Sequence, residues 1–314
     1  MLQKLINVLY RHPMAKLKHY KRFGGYLQYK QMLRNSKQME EASLNLPPVQ
    51  SFTDGPPVYF LTGKNHLYQT LFCIQSLTKI SREKFSFILV DDGSFDEALI
   101  ARVSRQLPGA VAVTQQEIAE NLRQILPVEK YPVLNHKRSV YPHLKKLTDV
   151  HTLPGSRWKM VLDSDMLFWS EPKDVINWLK KPEQNICMLD CEQSYGYSIK
   201  LMESLCGQKI RAKVNVGAIG LANDAINWDD LEKWISILEE KEGANYYLEQ
   251  ALSAMLIGDA PLTILNSSDY IVNPDEQAIL NKAGVLHHYV DLAKKGYFQS
   301  AWKMVIGNTK VKAN

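Results

Sequence analysis

Asp163 and Asp165 interrupt the apolar run from Trp158 to Phe168 and sit two residues apart. In extended chain that spacing sends both carboxylates to the same side. Carboxylates that converge in this way push each other's pKa upward unless a cation sits between them. Mn²⁺ or Mg²⁺ is the kind of hard divalent ion such oxygens suit. An acidic surface loop has the same local sequence, so the elements around the pair must decide between the two.

Val161 and Leu162 predict the end of a strand buried on both faces, because the apolar run shows no polar alternation. Upstream, Val58 to Thr62 predicts a first strand, Gly63 to Asn65 its turn, and His66 to Ile80 a helix with Leu67, Leu71, Ile74 and Leu77 on one face. Phe85 to Val90 predicts a second strand ending in Asp91-Asp92-Gly93-Ser94. A helix from Phe95 to Leu107, a strand over Ala110 to Val113 and a helix from Glu117 to Ile125 follow. Strand and helix alternating in this order predict an α/β fold with a mostly parallel sheet and right-handed crossovers. Ligands of such sheets gather beyond the carboxyl ends of the strands. Thr62, Gly63, Asp91, Asp92 and Asp163 all fall there, so the sheet brings distant residues together. Asp92-Gly93-Ser94 is also an ordinary turn with Ser94 capping the next helix. No G-x-G-x-x-G follows the first strand, which removes the dinucleotide fingerprint.

Arg138 to Val150 predicts a helix with Pro142 in its first turn, feeding toward the strand that carries Asp163. Glu171 to Lys180 predicts another helix, and Ile186 to Asp190 a strand that ends in an acid. Cys191 to Lys213 is rich in Ser, Tyr and Gly and predicts a long surface loop, of the kind that can border a substrate site or simply face solvent. In Val214-Asn215-Val216-Gly217, Asn215 offers an amide to a sugar hydroxyl and Gly217 allows a close approach to the backbone. Helices over Trp228 to Glu240 and Tyr246 to Leu256, the latter carrying Glu249 and Gln250, precede a strand at Leu262 to Leu265. His287-His288-Tyr289 offers an imidazole at a strand end, from either histidine, and a structural, hydrogen-bonded pair would look the same. An aromatic helix from Gly296 to Ile306 ends the pattern.

Composition narrows the class. The chain has 314 residues, 45% apolar and 23% charged, an ordinary soluble balance. No apolar stretch nears the roughly 20 residues of a membrane span, and no secretory pattern opens the chain, so a cytoplasmic protein is expected. Cys73, Cys187, Cys191 and Cys206 lack zinc-site spacing and are expected as reduced thiols. The net charge of +5 resides in residues 1–50, where nine Lys and Arg face Glu40 and Glu41, leaving the remainder at −2. Residues 1–46 thus form a basic arm, residues 47–57 a Pro-rich linker and residues 58–314 the main domain. In the arm, Leu2, Leu5, Ile6 and Leu9 share a helical face, and aromatics interleave with Lys and Arg up to Lys37. Such a segment could lie on an anionic membrane, or pack on its own domain or a second subunit. No nucleic-acid-binding module is present.

Asp163-Ser164-Asp165, Asp190, Asn215-Val216-Gly217, Glu249-Gln250, His288-Tyr289 and Lys294 stand in an order that resembles the GT-A glycosyltransferases. Within them the resemblance is to the retaining group that includes glycogenin and bacterial lipopolysaccharide galactosyltransferases, over about Val58 to Trp302. It implies a GT-A fold and transfer of a hexose from a nucleotide sugar, UDP-linked by expectation, to a saccharide or lipid-linked acceptor. It further implies Mn²⁺ or Mg²⁺ held by Asp163, Asp165 and His288, with His287 the alternative ligand. Lys294 and a helix-borne base, Arg138 or else Lys145, would meet the diphosphate. Thr62, Gly63, Asp91, Asp92, Ser164 and Gly217 would line the donor site, and Asn215, Asp190 and Gln250 would act at the reacting sugar. Where that group often has an acidic pair after its first strand, this chain has Thr62-Gly63-Lys64-Asn65. The competing readings are a haloacid-dehalogenase-like phosphatase with Asp163 as nucleophile, an inverting transferase with Asp190 or Glu249 as base, and a non-catalytic sugar-nucleotide binder.

Overall fold

Four parallel strands, β1 (Pro57–Thr62), β2 (Ser86–Asp91), β3 (Val111–Val113) and β4 (Trp158–Leu162), form half of a seven-stranded sheet in the computed structural model, which describes residue 18 and residues 20–307. β5 (Met166–Phe168) leaves that sheet. The other half contains β6 (Asn185–Leu189), β7 (Val214–Ala222) and β8 (Leu262–Leu265), and the sheet order is β3-β2-β1-β4-β7-β6-β8. β7 runs antiparallel to both its neighbours, β4 and β6. All nine of its residues are buried, the polar Asn215 among them. The predicted α/β class with a mostly parallel sheet is what the chain forms.

A second sheet of three strands sets the site. β5 pairs antiparallel with β10 (Leu286–His288), and β10 lies beside β9 (Tyr270–Val272). The register puts His288 opposite Met166, and the Tyr289 amide donates to the Asp165 carbonyl at 2.9 Å. The run read as one strand is therefore two. Asp163, Ser164 and Asp165 make the corner between them, where the chain changes sheets.

Helices flank the large sheet: α1 (Tyr26–Ser43), α2 (Leu67–Ile80), α3 (Glu97–Gln106) and α4 (Gln115–Ile125) precede β4. α4 starts with a reciprocal capping box between Thr114 and Glu117. The helix expected over Arg138–Val150 is broken into α5 (Pro132–Val140), a 3-10 turn at Pro142–Leu144 and α6 (Lys145–His151). Proline disfavours helical backbone in the residue before it, and Tyr141 is extended at φ −133° and ψ 86°. The segment expected as a loop at Cys191–Lys213 contains a helix, α8 (Ile199–Cys206), after α7 (Lys173–Lys180). Met202 of α8 is buried against the core, as are Tyr195 and Tyr197 before it. α9 (Trp228–Glu242), α10 (Leu248–Ile257) and α11 (Glu276–Asn281) follow, and the closing helix is three pieces: α12 (Ala293–Gly296), a π turn (Tyr297–Ala301) and α13 (Trp302–Ile306).

The described part of the basic arm packs on this body. Phe23, Met32, Met39 and Leu46 join the same apolar core as Phe72 and Trp302. The Pro-rich segment is also tied down: Val49 donates to the Gln106 carbonyl, Ser51 to that of Pro108 and Phe52 to that of Phe85. It is a strap bonded to the segments that lead into β2 and β3. The helical face at Leu2, Leu5, Ile6 and Leu9 lies outside the described residues.

Candidate active site

Three elements meet at the carboxyl end of β4. The β4–β5 corner supplies Asp163 and Asp165, β10 supplies His288, and the turn after β10 leads to Lys294 on α12. His288 Nε2 lies 3.5 Å from Asp163 Oδ2 and 3.4 Å from Asp165 Oδ1, and suitable ligand atoms of the three residues all fall within 4.8 Å of one another. Among the described residues this is the group of His, Cys, Asp and Glu side chains placed to share a metal ion.

Contacts behind the ring fix the imidazole. Asn215 Oδ1 faces His288 Nδ1 at 3.3 Å and accepts from the Gly217 amide at 2.9 Å. A proton on Nδ1 directed at Asn215 leaves Nε2 turned toward the carboxylates, the arrangement metal-binding histidines adopt. Gly217 is needed for this. A Cβ there would lie 2.3 Å from His288 Cε1 and 2.6 Å from Met166 Cε. The close approach expected at Gly217 is made by the His288 ring. His287 points to the opposite face of β10, accepting at Nδ1 from Trp169 Nε1 at 2.9 Å and meeting the Ala283 carbonyl through Nε2 at 2.7 Å. Burial pushes its pKa down to about 4, so it is neutral. The geometry therefore selects His288.

Cations compensate the two acids. Burial alone would raise Asp163, but Lys146 and His288 outweigh it and its pKa falls. Asp165 is likewise pulled far below the usual carboxylate range, against burial, by Lys294 and His288. Burial would lower His288, yet its bonds to Asp163 and Asp165 raise it to about 9. Lys294 Nζ is bonded to Asp165 Oδ2, and Lys146 Nζ lies 2.9 Å from Asp163 Oδ1. Two carboxylates and an imidazole nitrogen offer ligands a divalent ion accepts, and the ion would supply the positive charge that Lys146 and Lys294 now provide, so the residues fit Mn²⁺ or Mg²⁺.

Around the group opens a cleft of about 570 Å³. Asp92, Ser164, Asp190, Asn215, Gln250 and Lys294 of the expected residues line it. Asp190 Oδ2 accepts from Asn215 Nδ2 at 3.2 Å and Gln250 Nε2 at 3.0 Å, which joins the three expected sugar-side residues into one network. Ser164 Oγ is bonded at 2.8 Å to Thr70 Oγ1, itself 2.8 Å from Thr62 Oγ1, so Thr62 supports the wall from behind. Gly63 is packed beneath the Asp92 carboxylate, 2.0 Å from where a Cβ would lie. Asp91 Oδ1 accepts the amides of Gly93, Ser94 and Phe95 and closes the turn after β2.

Arg138 requires a correction. Its guanidinium grips the buried Asp149 carboxylate at 2.5 and 2.7 Å and does not line the cleft. The break at Pro142 places it on a different helix from the one that faces Asp163. Lys145 Nζ donates to the Asp92 carbonyl at 2.5 Å. The helix-borne base in the cleft is Lys146, which the sequence pattern did not single out because a one-residue shift on a helix turns the side chain by about 100°. Glu249, also in the cleft, is 3.2 Å from Lys146 Nζ, and burial holds its pKa up at about 7 despite that lysine. Tyr141, His143, Tyr246 and Tyr247 form an aromatic rim, with successive ring centroids 5.1–5.3 Å apart.

No protein-family model matches the chain. No curated protein matches it by sequence. Solved structures do match. Mouse xyloside xylosyltransferase 1 superposes with a TM-score of 0.50 and 12% identity, over 77% of this chain and 98% of that one. The galactosyltransferase LgtC, solved with donor and acceptor sugar analogues, gives a TM-score of 0.50 and 12% identity over 81% of this chain and 98% of its own. The fold is therefore the GT-A fold of the glycosyltransferases, and the chain is similar in structure to that of LgtC.

Proposed function

We propose that the chain is a metal-dependent glycosyltransferase that moves a hexose from a UDP-sugar to a saccharide or lipid-linked acceptor with retention. The observation that carries this reading is the convergence of Asp163, Asp165 and His288 at the floor of a cleft beyond the carboxyl end of β4. A bound Mn²⁺ or Mg²⁺ would offset negative charge developing on the nucleoside diphosphate as it leaves. Lys294 and Lys146, now occupied by the two aspartates, would then be free to meet phosphate oxygens. Asp190, Asn215 and Gln250 would hold sugar hydroxyls, since all three sit on the cleft wall with polar atoms converging on one point. Each of Asp163 and Asp165 is engaged by a lysine and by His288, which disfavours either as a nucleophile and with it the phosphatase reading. With retention, the acceptor oxygen would bond to the anomeric carbon on the face the diphosphate leaves as the sugar–phosphate bond breaks, and the acceptor proton would pass to the departing diphosphate.

The lipid-linked acceptor is favoured by α1. Its outward face carries exposed Tyr26, Leu27 and Leu33 among exposed Lys30, Arg34 and Lys37, a combination suited to an anionic membrane surface. No described helix is long and apolar enough to cross a membrane. Four free thiols fit a reducing, cytoplasmic setting.

A thermal-shift panel tests the reading. UDP or a UDP-hexose with Mn²⁺ should raise the melting temperature, because a ligand of the native state alone stabilises it by mass action. The same nucleotides with chelator should not. A panel in which no nucleoside diphosphate stabilises the protein with Mn²⁺ would reject it.

A further inference from the structure

The arm reaches the cleft through Arg22, which lines it together with Asp163, Asp165, His288 and Lys294. Its guanidinium is paired with Asp291, a residue held at φ 47° three positions before Lys294. That short turn thus presents an acid outward to Arg22 and a cation inward to Asp165. The placement is not that of a loose tail. Phe23, beside Arg22, is buried in the core. Gly24 and Gly25 follow at φ 85° and 105°, backbone that glycine adopts without a steric cost, and turn the chain into α1. α1 is anchored by Met32 and Met39 and packs on the π turn immediately after α12.

We propose that Arg22 is a donor-binding residue, supplied by the N-terminal arm, which leaves Asp291 to grip the diphosphate of the nucleotide sugar. This rests on reading the cleft as a nucleotide-sugar site. Charge supports it. Lys146 and Lys294 become available to phosphate only once a metal ion takes over the carboxylates they hold, whereas Arg22 is paired with Asp291, an acid outside the metal group. The Arg22 and Asp291 side chains are 57% and 34% exposed, so the pair is held weakly against water and is readily exchanged. Guanidinium offers parallel N–H groups to two phosphate oxygens, a stronger partner than one solvated carboxylate. Asp291 keeps the side chain at the mouth until that partner arrives.

The test is UDP affinity in saturating Mn²⁺ for the full-length wild type, Arg22→Ala, Arg22→Lys and Asp291→Asn, with melting temperature as the check on folding. Arg22→Ala should weaken UDP about tenfold, the scale of one lost charge-assisted contact. Arg22→Lys should fall between it and the wild type, and Asp291→Asn should bind UDP at least as tightly as the wild type. If Arg22 merely pins the arm, Arg22→Ala and Asp291→Asn will weaken binding alike, which overturns the proposal, as does unchanged affinity in Arg22→Ala. A wild type that binds no UDP with Mn²⁺ overturns both this proposal and the transferase reading. Binding in the wild type that Arg22→Ala leaves intact removes this one alone.

Discussion

Lys146 Nζ lies 2.9 Å from Asp163 Oδ1, and the same ammonium reaches Glu249 Oε1 at 3.2 Å on its other side. One buried cation therefore links the α6 helix, the β4–β5 corner and α10. Burial would lower the lysine's pKa, but Asp163 and Glu249 raise it overall, so it stays charged. Lys146→Met leaves the Asp163 and Glu249 carboxylates without the cation they share and should cost about 3–5 kcal/mol, the scale for breaking a buried pair from one side. Adding Glu249→Gln removes one of those charges and should restore at least half of the loss. Urea denaturation of the two variants measures it, and a double variant no more stable than the single one would contradict the coupling.

Gly217 is the second point of leverage. Gly217→Ala drives a methyl into the His288 ring and the Met166 side chain, and should cost about 1–3 kcal/mol as an overpacking change. It should also weaken Mn²⁺ binding in the fraction that folds, because His288 must turn to make room. Gly220→Ala on the same strand is the control. Its Cβ would meet Trp178 and Ile186, at 2.4 and 2.6 Å, away from the site. That variant should lose stability and keep its metal affinity. Equal metal affinity in both would mean that His288 tolerates displacement.

Much of this arrangement is legible in the sequence, and the exceptions have physical causes. The acid pair, the strand before it and Asp190 are placed by strand periodicity and strand ends, which localise residues well in a parallel sheet, whereas Asn215 stands out as an amide in an apolar strand and Gln250, on α10, is placed by the resemblance alone. Choosing His288 over His287 needed the register of β10 on β5, which decides which face each ring takes. Arg138 was expected in the cleft because the helix was read straight through Pro142, and the break there moved it onto Asp149. Lys146 differs from the expected alternative Lys145 by one helix position, a turn of about 100° that only the packing of α6 resolves. Arg22 carried no local signal: its position depends on Phe23 docking in a core built 50 to 280 residues later in the chain.

Acid should destabilise the fold through its buried neutral histidines. His151, hydrogen-bonded to Asn223 Oδ1 at 2.9 Å, and His287 both have pKa values pushed down to about 4 by burial, against 6.5 for the free side chain. As pH falls below 6.5 the unfolded chain takes up these protons first, so stability is full above 6.5 and lost progressively down to 4. Each contributes at most about 3 kcal/mol to that loss. Glu249, held up at about 7, works the other way as pH falls from 7 to 4.5, so the readout is a difference: from pH 6.5 to 4.5 the melting temperature of His151→Gln should rise relative to that of the wild type. Parallel profiles would remove His151 from the explanation.

Asp163, Asp165 and His288 as one metal site, completed by a nucleoside diphosphate, is the claim on which the rest depends. Electron paramagnetic resonance of Mn²⁺ counts it directly, since the sharp signal of the free ion is lost on binding. With UDP present, the wild type should remove one equivalent of free signal per chain, and Asp165→Asn and His288→Ala, folded by their melting curves, should remove far less. Undiminished Mn²⁺ binding in those two variants would contradict the site.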